Sequence, residues 1–174
     1  MRRAPARLDP RWQFRSRRPD AGLLAWLRDA GSLTARLQVL AGGRLQVRVE
    51  KLGWGRPTLA ERRALGLPLA ERALLREVVL CAGGEDWVVA SSVIPRRTLT
   101  GANRRLARLG NRPLGAFQFR DPSLARTQVV IERLARGPHA GCTGRRSTFI
   151  LRGHPLLVAE YFLPALLARG RPPR

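Results

Sequence analysis

Lysine is all but missing from this chain: of 33 basic residues in 174, one, Lys51, is lysine and the others are arginine. Phosphate binding can use either residue. Its exclusion, beside abundant Ala, Leu, Gly and Pro, therefore reads as a GC-rich coding background rather than as selection for nucleic acid. Acidic residues are scarce too, 12 in all, which leaves a net charge of +21. Two cysteines, Cys81 and Cys142, cannot build a disulfide framework, and no CxxC or His-rich spacing suggests a metal site. The chain suits a reducing, cytoplasmic compartment. The two histidines, His139 in an expected loop and His154 in an expected turn, have no Ser, Cys or Asp partner at a triad spacing. P-loop, GxGxxG and HExxH motifs are absent. No apolar run reaches the ~20 residues that span a bilayer. Pro155–Ala168 is interrupted by Glu160, and Ala21–Leu27 is closed by Arg28 and Asp29. Neither a signal peptide nor membrane insertion is expected.

What is present is a chain able to fold. Hydrophobic residues make up 44% and charged residues 26%, which excludes a disordered basic tail. The arginines are spread along the chain and are densest at Arg2, Arg3, Arg7, Arg11, Arg15, Arg17 and Arg18. Residues 1–20 are expected to be a basic, mobile lead, 21–166 one domain, and 167–174 a basic, Pro-rich tail.

Asp20 and Ser32 are N-cap residues for two short helices, the second running to about Leu40. Leu45, Val47 and Val49 alternate with charged and polar residues, as in a half-buried strand. Thr58 and Glu61 have capping-box spacing, with Gly66 as the stop. Ala73–Cys81 and Trp87–Ile94 flank Gly83-Gly84 as a hairpin. Thr100 is expected to cap a helix through Leu109. Leu114–Phe119 is a short apolar stretch, Thr127–Leu134 a strand and 136–144 a loop. Ser147–Leu151 and Leu156–Leu163 form a last hairpin. Consecutive strands with short turns predict an antiparallel sheet in an α+β domain.

Two charged residues sit in apolar strands. Glu160 shares a face with Leu156, Val158 and Phe162. A carboxylate there needs a cation or donors to stay charged. Arg76 shares a face with Leu74, Val78 and Leu80, and a buried guanidinium calls for a planar anion. Its neighbour Glu77 faces Val79 and Cys81, so alternation alone leaves open which of the two points inward. Of Arg145 and Arg146, adjacent in a strand, at most one can serve a given pocket. The four tryptophans are scattered and suit packing better than base stacking.

An ordered set of motifs then identifies a resemblance. Leu75-Arg76-Glu77-Val78-Val79-Leu80-Cys81-Ala82 is followed by Gly84-Glu85 and Trp87, and by Val93-Ile94-Pro95 with Thr98-Leu99-Thr100-Gly101. Next come Leu109-Gly110, Pro113-Leu114-Gly115, Gly144-Arg145-Arg146-Ser147, Pro155-Leu156-Leu157 and Glu160-Tyr161-Phe162-Leu163-Pro164. Over roughly Leu23 to Pro164 the chain resembles the chorismate pyruvate-lyase (4-hydroxybenzoate synthase) family.

The resemblance implies an α+β domain with a six-stranded antiparallel sheet and an enclosed ligand pocket under flaps. It implies a cofactor-free lyase that turns chorismate into 4-hydroxybenzoate and pyruvate for ubiquinone biosynthesis. Carried over residue by residue, Arg76 and the backbone amides of Leu33 and Leu114 would hold the ring carboxylate. Glu160 would meet the ring hydroxyl. Arg126, Arg145 and Arg146 are candidates for the second carboxylate. Position 33, commonly methionine in the family, is leucine here, and the loop before Gly144 lacks an expected aromatic. The expected partner is chorismate alone, with no nucleic acid and a monomeric chain. A second reading is a non-catalytic aromatic-acid-binding domain of the kind found in transcription regulators. That reading would need a DNA-binding segment, which the lead before Leu23 is too short to supply.

Overall fold

The computed structural model describes residues 20–115 and 121–173. The arginine-rich lead and most of the Leu114–Phe119 stretch lie outside them.

Local signals set the first elements. Asp20 accepts a hydrogen bond from the Gly22 N–H and starts α1, Ala21–Arg28. Ser32 accepts from the Ala35 N–H and starts α2, Leu33–Leu40. The alternating stretch becomes β1, Gln46–Gly55. A complete capping box of Thr58 and Glu61 opens α3, Leu59–Leu65, and Gly66 closes it at φ 61°, a conformation glycine adopts without strain. β2, Ala73–Ala82, and β3, Glu85–Pro95, meet at Gly83-Gly84, both at positive φ as a primed hairpin turn requires.

The helix expected from Thr100 is instead a 3-10 helix over Gly101–Arg108, and Thr100 does not cap it. Its hydroxyl donates to the Arg97 carbonyl. Asn103, Leu106 and Leu109 are buried, and this period of three is the one that a 3-10 helix places on a single side. β4 spans Ala125–Arg133, β5 Thr143–Leu151 and β6 His154–Phe162. β5 starts before the expected Ser147 because Arg145 and Arg146 both find partners within the sheet. The final turn is Arg152-Gly153, so His154 belongs to the strand. A last helical turn, α4, covers Pro164–Leu167.

The strands form one antiparallel sheet in the order β1-β2-β3-β6-β5-β4. Helix α3 covers part of one face, where Leu65 and Leu67 pack with Ala73, Val93 and Leu157. Two apolar clusters share the other face. Trp26, Leu27, Leu33 and Leu37 of α1 and α2 pack on Val78, Val88 and Phe162. Leu106, Leu109 and Leu114 pack on Leu74, Ile94, Phe149 and Leu156. Each such side chain, fully buried, contributes roughly 1.5–3 kcal/mol. That apolar burial offsets the cost of the charged groups lying in the seam between the two clusters.

Among the described residues no helix is long and apolar enough to cross a membrane.

Candidate active site

Strand register places the charged residues in the seam. Arg76 lies opposite Ser92, and Ser92 opposite Val158. Two residues along, Val78, Ala90, Glu160 and Arg145 form the next row. Arg76 and Glu160 are therefore two strands and two residues apart, ~12 Å between Cα atoms at ordinary sheet spacings. Their side chains line one narrow cavity of about 30 Å3. Val78, Leu80, Ala90, Phe149 and Val158 form its apolar floor and walls.

The open question about Arg76 and Glu77 is resolved by burial and pairing. Arg76 is buried at 2% exposure, while Glu77 is exposed and faces Lys51 of β1 at 3.7 Å. One Arg76 nitrogen, Nη2, donates to the carbonyls of Gly110 and Arg112, each at 2.9 Å. Its Nε is buried without a partner. Among the described residues no carboxylate pairs with it, and burial lowers its pKa from the ordinary arginine value. A buried cation without an anion is costly. This one faces a cavity that an anionic group could fill.

Glu160 is the opposite case. Its Oε2 accepts from Nε of Arg145 at 2.8 Å. Arg145 is completely buried and its Nη1 donates to the backbone carbonyls of Trp26, Leu27 and Asp29, at the end of α1. Gly144 allows this approach. A Cβ there would stand 2.2 Å from the Glu160 carbonyl oxygen and 2.7 Å from Tyr161 Cα. Arg146 points to the other face and pairs with Glu132 at 3.0 Å. Of the two adjacent arginines, then, one serves the site, and it holds Glu160.

Leu33 and Leu114 both line the cavity. Leu33 is the first residue of α2, and the first four N–H groups of a helix lack intrahelical acceptors. At Leu114 the backbone again turns helical. Gly115 lets this segment close on α2, since a Cβ there would lie 2.7 Å from Thr34 Oγ1. Thr34 and Ser92 also line the cavity. Thr34 has no sequence signal. Ser92 does have one, a small polar residue on the inward period of an apolar strand. The site thus offers a guanidinium at one end, a braced carboxylate at the other, and an apolar slot between them. That arrangement suits a flat ring carrying an acid and a polar group at opposite ends.

Comparison with known proteins places the chain in a family. The sequence profile of a family described as Chorismate lyase matches residues 12–171. A probable chorismate pyruvate-lyase of Methylococcus capsulatus is 41% identical over 155 residues, covering 83% of this chain and 96% of that protein. A probable chorismate pyruvate-lyase of Azoarcus sp. is 44% identical, with 83% and 85% covered. A chorismate pyruvate-lyase of Erwinia tasmaniensis is 37% identical, with 83% and 80% covered. Among solved structures, the C-terminal domain of a histidine utilization repressor from Pseudomonas syringae aligns with a TM-score of 0.57 at 14% identity, covering 75% of this chain and 97% of that one. A possible transcriptional regulator, YydK, of Bacillus subtilis aligns at 0.54 and 14% identity, covering 71% and 60%. At such identities the structural likeness concerns the fold. The match of motifs, sequence profile and relatives over most of the length is specific: the chain belongs to the chorismate lyase family.

Proposed function

We propose that this protein converts chorismate to 4-hydroxybenzoate and pyruvate without a cofactor, supplying the aromatic ring for ubiquinone biosynthesis. The observation that carries the reading is Arg76, buried, without a carboxylate partner among the described residues and facing a narrow apolar slot in a chain of this family. A ring carboxylate supplies the missing anion, and a guanidinium fork can hold it in two places. The amides of Leu33 and Leu114 would complete its hydrogen bonds. Glu160, at the far end of the slot, would accept the hydroxyl hydrogen at ring carbon 4 and fix the ring's orientation.

The chemistry asks little more of the protein. The bond between ring carbon 3 and the ether oxygen breaks, and its electron pair leaves with the enolpyruvyl group. Carbon 4 loses its hydrogen, and the ring becomes aromatic. The leaving group gains a proton at its methylene carbon and departs as pyruvate. Aromatisation supplies driving force, so orientation and charge complementarity are the enzyme's contributions. Leu33-Thr34 and Pro113-Leu114-Gly115 border the slot, and one of the two segments must move to admit substrate.

The protein is proposed to act as a cytoplasmic monomer, with no nucleic-acid partner. An RNA-binding role would give no reason for Arg76 and Glu160 to face an apolar slot. The regulator-like reading draws only on the shared fold, whereas the relatives similar in sequence are described as lyases. The test is incubation of purified protein with chorismate while 4-hydroxybenzoate and pyruvate are measured together. Equal amounts of both products are expected. No formation above the spontaneous background would overturn the proposal.

A further inference from the structure

We infer that Arg126 receives the second carboxylate of chorismate, the one on the enolpyruvyl group that leaves. The inference rests on the lyase reading above and assigns a residue to the half of the substrate that Arg76 and Glu160 do not hold.

The position follows first from the substrate's own connectivity. Carbons 3 and 4 of the ring are neighbours, one carrying the enolpyruvyl ether and the other the hydroxyl. With the ring carboxylate at Arg76 and the hydroxyl at Glu160, the enolpyruvyl group must lie beside Glu160. The slot itself is narrow, about 30 Å3, so the second carboxylate must reach past its wall at that end.

The strands bring three candidate arginines towards that end, Arg126, Arg145 and Arg146. Arg146 is on the opposite face of the sheet, engaged with Glu132, which also accepts from the Tyr161 hydroxyl at 2.7 Å. Arg145 is fully enclosed, with Nε on Glu160 and Nη1 on three backbone carbonyls; its Nη2 is buried without a partner, but the guanidinium is pinned on its other two nitrogens. Moving it to a ligand would release Glu160. Arg126 differs from both. It lies opposite Phe149 in the β4–β5 register, and its guanidinium carbon stands 5.0 Å from the centre of the Phe149 ring, which forms part of the cavity wall. Its Nη1 donates to the Asp29 carbonyl at 3.3 Å, the same oxygen that Arg145 uses. The long side chain therefore runs back along the sheet, over the wall, towards the Glu160 end.

Its electrostatic setting suits an anion. Burial and the neighbouring Arg145 push the Arg126 pKa down to about 10, partly countered by Glu160 and Asp29. The group is thus still a cation at neutral pH. A carboxylate placed there would relieve the repulsion between the two guanidinium groups. During reaction the same cation would face the electron pair that collects on the departing enolpyruvyl oxygen, where a fixed positive charge favours the transition state.

The product provides the control, because 4-hydroxybenzoate lacks the second carboxylate. The experiment compares wild type, Arg126→Gln and Arg126→Lys, each shown to be folded by thermal melting. Turnover of chorismate and calorimetric binding of 4-hydroxybenzoate are both measured. Loss of a hydrogen bond to a charged group predicts a fall in kcat/KM for chorismate of roughly 10- to 100-fold in Arg126→Gln. Arg126→Lys should recover part of that loss. The Kd for 4-hydroxybenzoate should change by less than about twofold in either variant, because the product makes no such contact. Wild-type kcat/KM in Arg126→Gln would overturn the inference, as would equal losses for chorismate and for 4-hydroxybenzoate. Absence of turnover in the wild type would instead overturn the lyase reading on which the inference rests.

Discussion

Arg145 and Glu160 face each other across β5 and β6, with 2.8 Å between Nε and Oε2, and the arginine has no exposed surface. The same guanidinium ties the end of α1 to the sheet through three carbonyls. Breaking a buried pair from one side leaves the other charge uncompensated, at about 3–5 kcal/mol. Arg145→Met is therefore expected to cost about that much in urea denaturation. Glu160→Gln should cost less, about 1–2 kcal/mol, because the amide oxygen still accepts from Arg145. Both variants should lose turnover. An unchanged urea midpoint in Arg145→Met would remove the bracing role.

Arg76 has the reverse balance. It bridges Gly110 and Arg112 but is desolvated, with no carboxylate beside it among the described residues. Arg76→Met trades two hydrogen bonds against relief of that desolvation. The net change in stability is expected to stay within about 1.5 kcal/mol. Binding of 4-hydroxybenzoate should fall roughly 10- to 100-fold, the worth of a charge-assisted pair. Calorimetry and a thermal melt on the same sample check both halves. A large loss of stability with intact binding would make Arg76 a structural residue.

The contrast between these two residues marks what the sequence could reveal. Period-two alternation put Glu160 on one face with Leu156, Val158 and Phe162, and all three of these are buried. It could not separate Arg76 from Glu77, because β2 lies inside the sheet and is apolar on both sides. The choice is settled by Lys51, twenty-six residues earlier, which meets Glu77 on the outer face. The caps at Asp20, Ser32 and Thr58 were legible because a cap is a local hydrogen bond. The helix expected through Leu109 is a 3-10 helix over Gly101–Arg108, because Thr100 resembles a cap without acting as one and the period of three emerges only from burial on the sheet. The bond from Arg145 to Glu160 depends on β5 reaching back to Thr143, four residues before the start expected for the last hairpin.

Asp86 gives a prediction on the acid side. Both terminal nitrogens of Arg48 donate to its carboxylate, at 3.1 and 3.0 Å, and hold its pKa below the ordinary aspartate value of 3.8. A carboxyl with a depressed folded pKa adds stability above its unfolded value, and that stability is lost as pH falls through the folded value. The wild type should thus lose some melting temperature below pH ~4 that Asp86→Asn does not lose. The pair is partly exposed, so the difference should amount to no more than about 1 kcal/mol. Parallel melting curves for the two proteins between pH ~2 and ~6 would contradict this origin.

Gly144 offers the sharpest test of how the sheet positions the site. A Cβ at this position meets backbone atoms of Glu160 and Tyr161 at 2.2 and 2.7 Å, and backbone cannot rotate aside as a side-chain tip can. Gly144→Ala must therefore spread β5 from β6 at the residue next to Arg145. Overpacking of this kind costs about 1–3 kcal/mol. A separation of a few tenths of an ångström would also lengthen the bond between Arg145 and Glu160. Turnover of the folded protein should consequently fall further than the stability loss explains, because the carboxylate loses its fixed direction. The measurements are kcat below the melting transition and the urea midpoint. A variant with lowered stability but full kcat would show that the site tolerates a looser β5–β6 pairing than its geometry implies.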